Sequence, residues 1–241
     1  MYQFFVDEPI QVGCDIILSK DQTHHAKDVL RLHNEMVRIV SDGKGYFGEI
    51  YIQDKEAHVR IDKEDIYNNE LDIDITIGIA LIRKEKMELA IQKATELGAK
   101  KIVPLVTKNC VVKSIDKHKE RILQRYQTIA TEASAQCKRN IIPTITEPLP
   151  VADADTIMSK FNYVAHNEAT SPLSKRKDTN TSVTILIGPE GGFDESEIEV
   201  LVKDGYETVS FGRRVFRAET AVMYACTVLS TFGEEDEVLV M

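Results

Sequence analysis

The spacing of hydrophobic positions along this 241-residue chain changes period near residue 70. Before that point, FFVD, DIILS, MVRIVSD, YFGEIYIQ and AHVRIDKED are short β-rich runs broken by turns. Alternation of apolar and polar positions is the signature of strands with one face on a core. Within SDGKGYFG, the pair Asp42-Gly43 suits the left-handed corner of a tight hairpin. One helical stretch, THHAKDVLRL, interrupts the strands; Thr23 can cap it, and Ala26, Val29 and Leu30 share a face. So many short strands in so little chain predict a small β-barrel domain over 1–69. The polar segment YNNELD, around Asn68 to Asp72, reads as a linker.

Beyond it, strands and helices alternate. IDITIGIALI (Ile73 to Ile82) has the unbroken apolar run of a strand covered on both faces. RKEKMELAIQKATELGAK places Met87, Ala90, Ile91, Ala94 and Leu97 at helical spacing, with Gly98 to end the helix. KIVPLV, a helix from about Asp116 to Gln136, FNYVAH, VTILIG with an acidic helix after it, YETVSFG, and a helix from Glu219 to about Phe232 follow. This order predicts an α/β domain over 70–241, a mostly parallel sheet with flanking helices. SKRKDTNTS, around Ser174 to Ser182, reads as an exposed loop.

Composition narrows the class. A hydrophobic content of 43% and a charged content of 29% suit a soluble globular protein. No apolar run reaches the roughly 18 residues of a membrane helix. MYQFFVDEPI lacks the basic and apolar regions of a secretory signal. Cys14, Cys110, Cys137 and Cys226 are scattered and read as reduced thiols, and the histidines are dispersed apart from adjacent His24-His25. No metal site is expected, and the cytoplasm is the expected address. The net charge of −9 divides unevenly: −6 over 1–70, +6 over 71–145 and −9 over 146–241. The middle third therefore offers candidates for phosphate contacts in Lys84, Lys86, Lys93, Lys113, Lys138 and Arg139. A solvated, lysine-rich helix surface accounts for the same pattern, and both readings stand.

Ligands of open α/β sheets bind beyond the carboxyl ends of strands. Three such loops carry chemistry here: AHNE (Ala165 to Glu168), IGPEGG after VTIL, and FGRRVFRAETA (Phe211 to Ala221). Gly188, Pro189, Glu190, Gly191 and Gly192 let the backbone approach a ligand closely, yet the turn has neither the lysine of a P-loop nor the G-x-G-x-x-G spacing. Glu190 would repel a phosphate, so the turn suits a cationic or neutral ligand; a sulfonium such as S-adenosylmethionine fits. A tight structural turn with a solvated glutamate is the alternative. Arg213, Arg214 and Arg217 bring guanidinium forks to an otherwise acidic region, and Glu219 and Thr220 open an apolar helix, as anion binders or as surface charges and caps.

IGPEGG, followed some twenty residues later by FGRRVFRAETA, resembles the RsmE family, bacterial 16S rRNA uridine N3-methyltransferases of the SPOUT superfamily. The likeness extends to EKMELAIQKATELGAKKIVPLV, to EASAQCKRNIIP and to the N-terminal HHAKDVLRL, nearly the whole chain in the family's order. The resemblance implies a C-terminal domain with a deep trefoil knot, an N-terminal PUA-like barrel associated with RNA, and a homodimer. It implies S-adenosylmethionine as cofactor and 16S rRNA, within the 30S subunit, as substrate. Carried over by motif, the cofactor residues would be Glu168, Leu186, Gly188, Pro189, Glu190, Gly191, Gly192, Phe211, Gly212, Arg213, Val215, Phe216, Thr220 and Ala221. Arg217 and Glu219 match the family's R-x-ET. Gln3, Asn109 and Ala135 depart from its pattern, the first two removing possible RNA contacts.

Uridine N3 carries a proton that must leave before the nitrogen can attack a methyl group. The residues expected to serve that step are Arg217, which can steady an anionic base, and Glu219, which can accept the proton. Competing expectations are a knotted tRNA methyltransferase and a non-catalytic RNA-binding or assembly protein of the same fold. A phosphate-using enzyme is disfavoured by Glu190 and the missing lysine.

Overall fold

The computed structural model describes residues 1–176 and 181–231, in two compact units. The expected end of the last helix at Phe232, and residues 177–180 of the expected loop, lie outside the described residues.

The first unit holds Met1–Glu70 together with Ser134–Ile141. Its five-stranded sheet contains β1 (Gln3–Phe5), β2 (Asp15–Ile17), β3 (Glu35–Ser41), β4 (Lys44–Gln53) and β5 (Glu56–Asp65), in the order β1-β3-β4-β5-β2. Period-2 patterning does what it predicts in β5: Ala57, Val59 and Ile61 are buried, while Arg60 faces solvent. Asp42 (φ 47°) and Gly43 (φ 73°) form the β3–β4 corner with both residues left-handed. The β4–β5 corner has the same form at Asp54 (φ 51°) and Lys55 (φ 71°), without the glycine that would have advertised it.

The short helix differs from expectation. α1 (Lys20–His24) begins earlier, capped by Ser19, whose hydroxyl accepts from Gln22 N while the Gln22 side chain accepts from Ser19 N. Thr23 is no cap; its hydroxyl donates to Leu18 O at 3.2 Å. A wider π-turn over His25–Val29 continues the helix, so the face changes: Ala26 is buried but Val29 is 58% exposed.

Arg38 fixes the centre of this unit. Only 2% exposed, it donates to Asp65 (2.7 Å), Gln3 (2.9 Å) and Asn140 (2.5 Å). A second buried pair, Arg139 with Glu70 at 2.6 Å, adds backbone donation from Asn140 and Ile141 to Glu70 Oε1. These two pairs hold Ser134–Ile141 against the strands.

The second unit holds Leu71–Ala133 and Ile142–Met241. Its strands are β6 (Asp74–Ala80), β7 (Ala99–Val106), β8 (Thr144–Ile145), β9 (Leu149–Pro150), β10 (Phe161–Ala165), β11 (Ser182–Ile187) and β12 (Glu207–Val209). All pair in parallel, in the order β12-β10-β11-β6-β7-β8, with β9 also on β7. α2 (Lys84–Glu96), α3 (Lys119–Gln136), α4 (Glu195–Asp204) and α5 (Ala218–Ser230) flank it. Ile73, Ile75, Ile77 and Ile79 are buried with Met87, Ala90, Ile91 and Ala94 of α2 and Val222, Ala225 and Leu229 of α5. Gly98 (φ 93°) ends α2 in the left-handed conformation expected of it.

Breaking a buried ion pair by removing one partner costs about 3–5 kcal/mol, because the other charge is left stranded. Arg38→Met should therefore destabilise the protein by roughly that amount, read as a lower urea midpoint. A midpoint unchanged from wild type would show that Asp65 is satisfied without Arg38.

Candidate cofactor site

Because β10, β11 and β12 run parallel and adjacent, the chain leaves all three at one edge of the sheet. There the loops form a cavity of about 220 Å³. From the β10 loop come His166, Asn167 and Glu168; from the β11 loop, Gly188 to Phe193; from the β12 loop, Ser210 to Gly212 and Arg214 to Phe216; and from α5, Ala218 and Ala221. The three loops singled out in the sequence are thus brought together.

The glycine turn closes through Gly192 N donating to Pro189 O at 2.9 Å, with Gly192 at φ 71°. Asn109 braces it from β7's following loop, donating to Gly192 O at 3.2 Å. Glu190 accepts from its own backbone N–H, which with nearby Lys86 holds its carboxyl below the usual value against a desolvation effect. Lys86 Nζ lies 3.0 Å from Glu190 Oε1.

After the turn, Asp194 caps α4 in a reciprocal box with Glu197. Glu197, itself buried, also accepts from Lys108 N at 2.8 Å. Beyond β12, Gly212 at φ 99° turns the chain, and Phe211, Phe216 and Tyr224 form a ring cluster with centroids 4.9–6.4 Å apart. α5 then starts at Arg217 with no side-chain cap. Glu219 does not cap: it is 9% exposed, and its Oε2 has no hydrogen-bond partner.

Of the expected cofactor residues, Glu168, Gly188 to Gly192, Phe211, Gly212, Val215, Phe216 and Ala221 line the cavity. Leu186 is instead fully buried in the apolar core, where it packs with Val103, Leu105 and Val164. Arg213 and Thr220 are exposed and do not line the cavity, whereas Arg214 does. Arg217 is exposed at the start of α5. His166 and Asn167, inside the AHNE loop but not named as site residues, and Phe193, directly after the glycine turn, join the lining, which only loop convergence reveals. His166 and Glu168 stand with Glu195, their ligand atoms within 4.8 Å of one another at the solvent edge.

The expected phosphate-binding cations are mostly engaged. Arg139 is 3% exposed and bound to Glu70, so it supports the fold rather than a ligand. Lys138 donates to Met1 O and Ala135 O, and burial lowers its pKa. Lys113 donates to Lys108 O, and Lys93 pairs with Glu96 at 2.7 Å. Lys84 stays 75% exposed, 3.9 Å from Glu88. Among the described residues no helix is long and apolar enough to cross a membrane.

A glycine-walled cavity at the carboxyl edge of a parallel α/β sheet is where ligands of such folds bind. The RNA methyltransferase domain family matches residues 69–230. Ribosomal RNA small subunit methyltransferase E of Mesomycoplasma hyopneumoniae is 31% identical over 94% of this chain and 98% of that protein. Its namesake from Buchnera aphidicola (Schizaphis graminum) is 34% identical over 93% and 94%. The crystal structure of ribosomal RNA small subunit methyltransferase E from Neisseria gonorrhoeae bound to S-adenosyl methionine superposes with a TM-score of 0.88 at 25% identity, covering 96% and 97%. The chain belongs to the RNA methyltransferase family, among the ribosomal RNA small subunit methyltransferase E proteins.

Lys108 Nζ hydrogen-bonds to Asp194 Oδ1 at 2.8 Å, and with Ser196 it lowers the Asp194 carboxyl to about 2. An unfolded aspartate titrates at about 3.9, so the cap's contribution is complete above that pH and lost as pH falls toward 2. A carboxyl-detected NMR titration should place Asp194 near that low value, and Lys108→Met should raise it. An Asp194 titrating like a free aspartate would show that the pair does not persist in solution.

Proposed function

We propose that this chain is an S-adenosylmethionine-dependent methyltransferase that methylates N3 of a uridine in 16S rRNA, acting on the 30S subunit in the cytoplasm. The observation that carries the reading is the cavity wall. Glu168 and Glu190 bring two carboxylates and Arg214 one guanidinium to a space bounded also by glycine backbone, His166, Asn167, Phe211, Phe216 and Ala221. A cationic nucleoside cofactor fits that lining: carboxylates complement a positive centre, and apolar and aromatic surface complements a purine. When bound there, S-adenosylmethionine would supply an electrophilic methyl group. The names of the similar proteins support small-subunit rRNA as substrate.

The protein's own residues must orient the base and remove its N3 proton. Glu219 is the acceptor we assign, since its buried Oε2 has no hydrogen-bond partner that would compete for the proton. Arg217, exposed at the start of α5, would stabilise the anionic uridine; the uncapped helix N-terminus adds to the same field. Arg213 and Arg214 in the preceding loop would meet rRNA phosphates, as would exposed Lys84. The flanking architecture we assign is a PUA-like barrel over 1–69, a trefoil-knotted domain over 70–241, and a homodimer.

Calorimetry should show binding of S-adenosylmethionine and none of ATP, and mass spectrometry of digested 16S rRNA should show one added methyl on a uridine after incubation with 30S particles. Binding of ATP alone would overturn the reading. Glu219→Gln should lower turnover by about a hundredfold with donor affinity little changed; unaltered turnover would remove the base role.

A further inference from the structure

Lys86 leaves the first turn of α2 and ends between two carboxylates from different elements. Its Nζ is 3.0 Å from Glu190 Oε1 and 4.0 Å from Glu219 Oε2. Glu190 belongs to the glycine turn that walls the cavity, and Glu219 to the first turn of α5, two positions before cavity-lining Ala221. The Lys86 side chain is only 27% exposed and that of Glu219 only 12%, so solvent screens the arrangement less than it would an open surface pair. Lys86 itself does not line the cavity.

Without a cation at that point, the turn and the helix would present like charges to each other. Against that repulsion the turn has its Gly192 N–H bond to Pro189 O and the Asn109 brace, but no side-chain packing from Gly191 and Gly192. The Glu219 oxygen, buried and without a hydrogen-bond partner, would lose its counter-charge.

We propose that Lys86 is a positioning residue for methyl transfer, its ammonium tying the Gly188–Gly192 turn to the start of α5 and so fixing both the cofactor wall and the Glu219 carboxylate. This rests on the reading of the cavity as the methyl-donor pocket. It assigns Lys86 a role inside the protein, in place of the phosphate contact that its position in a basic stretch suggested.

The test is S-adenosylmethionine binding by calorimetry, with thermal melts, for wild type, K86M, K86R, E190Q and K86M/E190Q. K86M should weaken donor binding by about tenfold while remaining folded, and K86R should recover most of the loss. In the E190Q background, where the pairing carboxylate is already gone, K86M should cost less than about twofold. Should K86M fail to fold, K86Q takes its place in the same cycle. Wild-type affinity in K86M, no rescue by arginine, or an equal loss in both backgrounds overturns the inference. Gly188→Val, whose side chain would press on the Phe193 ring 3.1 Å from the new Cβ, serves as the separate control. If that variant binds the donor as wild type does, the cavity reading fails, whatever Lys86 does.

Discussion

Parallel pairing of β10 with both β11 and β12 is the constraint from which the site follows. The register sets Val164 beside Leu186 on one side and Thr208 on the other, so the three carboxyl ends finish at the same level. Strands running the same way must discharge their chains at the same edge, and segments far apart in sequence become walls of one cavity. Parallel sheets need both faces covered. Here the isoleucines of β6 are buried with apolar residues of α2 and α5, and the latter helix begins at the cavity. Packing of the core and placement of the site are therefore the same event.

On that frame, charge is distributed by function of place rather than by composition. The carboxylates Glu168 and Glu190 line the cavity, while Lys86 stands behind the wall and balances Glu190 and Glu219. Lys108 does similar work beside the turn, meeting Asp194 and giving its backbone N–H to Glu197. Two carboxylates in the pocket of an enzyme for a polyanionic substrate are consistent once the cation they meet is the cofactor rather than the RNA.

Buried polar pairs in the first unit carry a similar lesson. EASAQCKRNIIP reads in sequence as a basic segment, and Lys138 and Arg139 as ligand contacts. In the fold, Glu70 takes up Arg139, and Arg38 with Gln3 takes up the residues around it. Which positive charges remain free depends on which carboxylates fold against them, and that pairing is non-local. Local signals failed where another local solution was available. Ser19 with Gln22 made a better cap than Thr23, and Asp54-Lys55 formed a left-handed corner without glycine.

By itself the sequence determined the elements whose period or backbone demand is encoded locally. These are the β-rich first third, the alternating strands and helices after it, the end of α2 at Gly98, the Asp42-Gly43 corner and the glycine turn. It also marked Glu190 and the start of α5, because a glycine pair after a strand and an R-x-ET at a helix start are chemical statements in a few adjacent residues. Tertiary structure alone decided that His166, Arg214 and Phe193 share the cavity with that turn, that Leu186 is core, and that Lys86 faces inward to two glutamates. Those outcomes depend on strand order and register, which are fixed by burial summed over the whole sheet, and no short stretch of chain contains that sum.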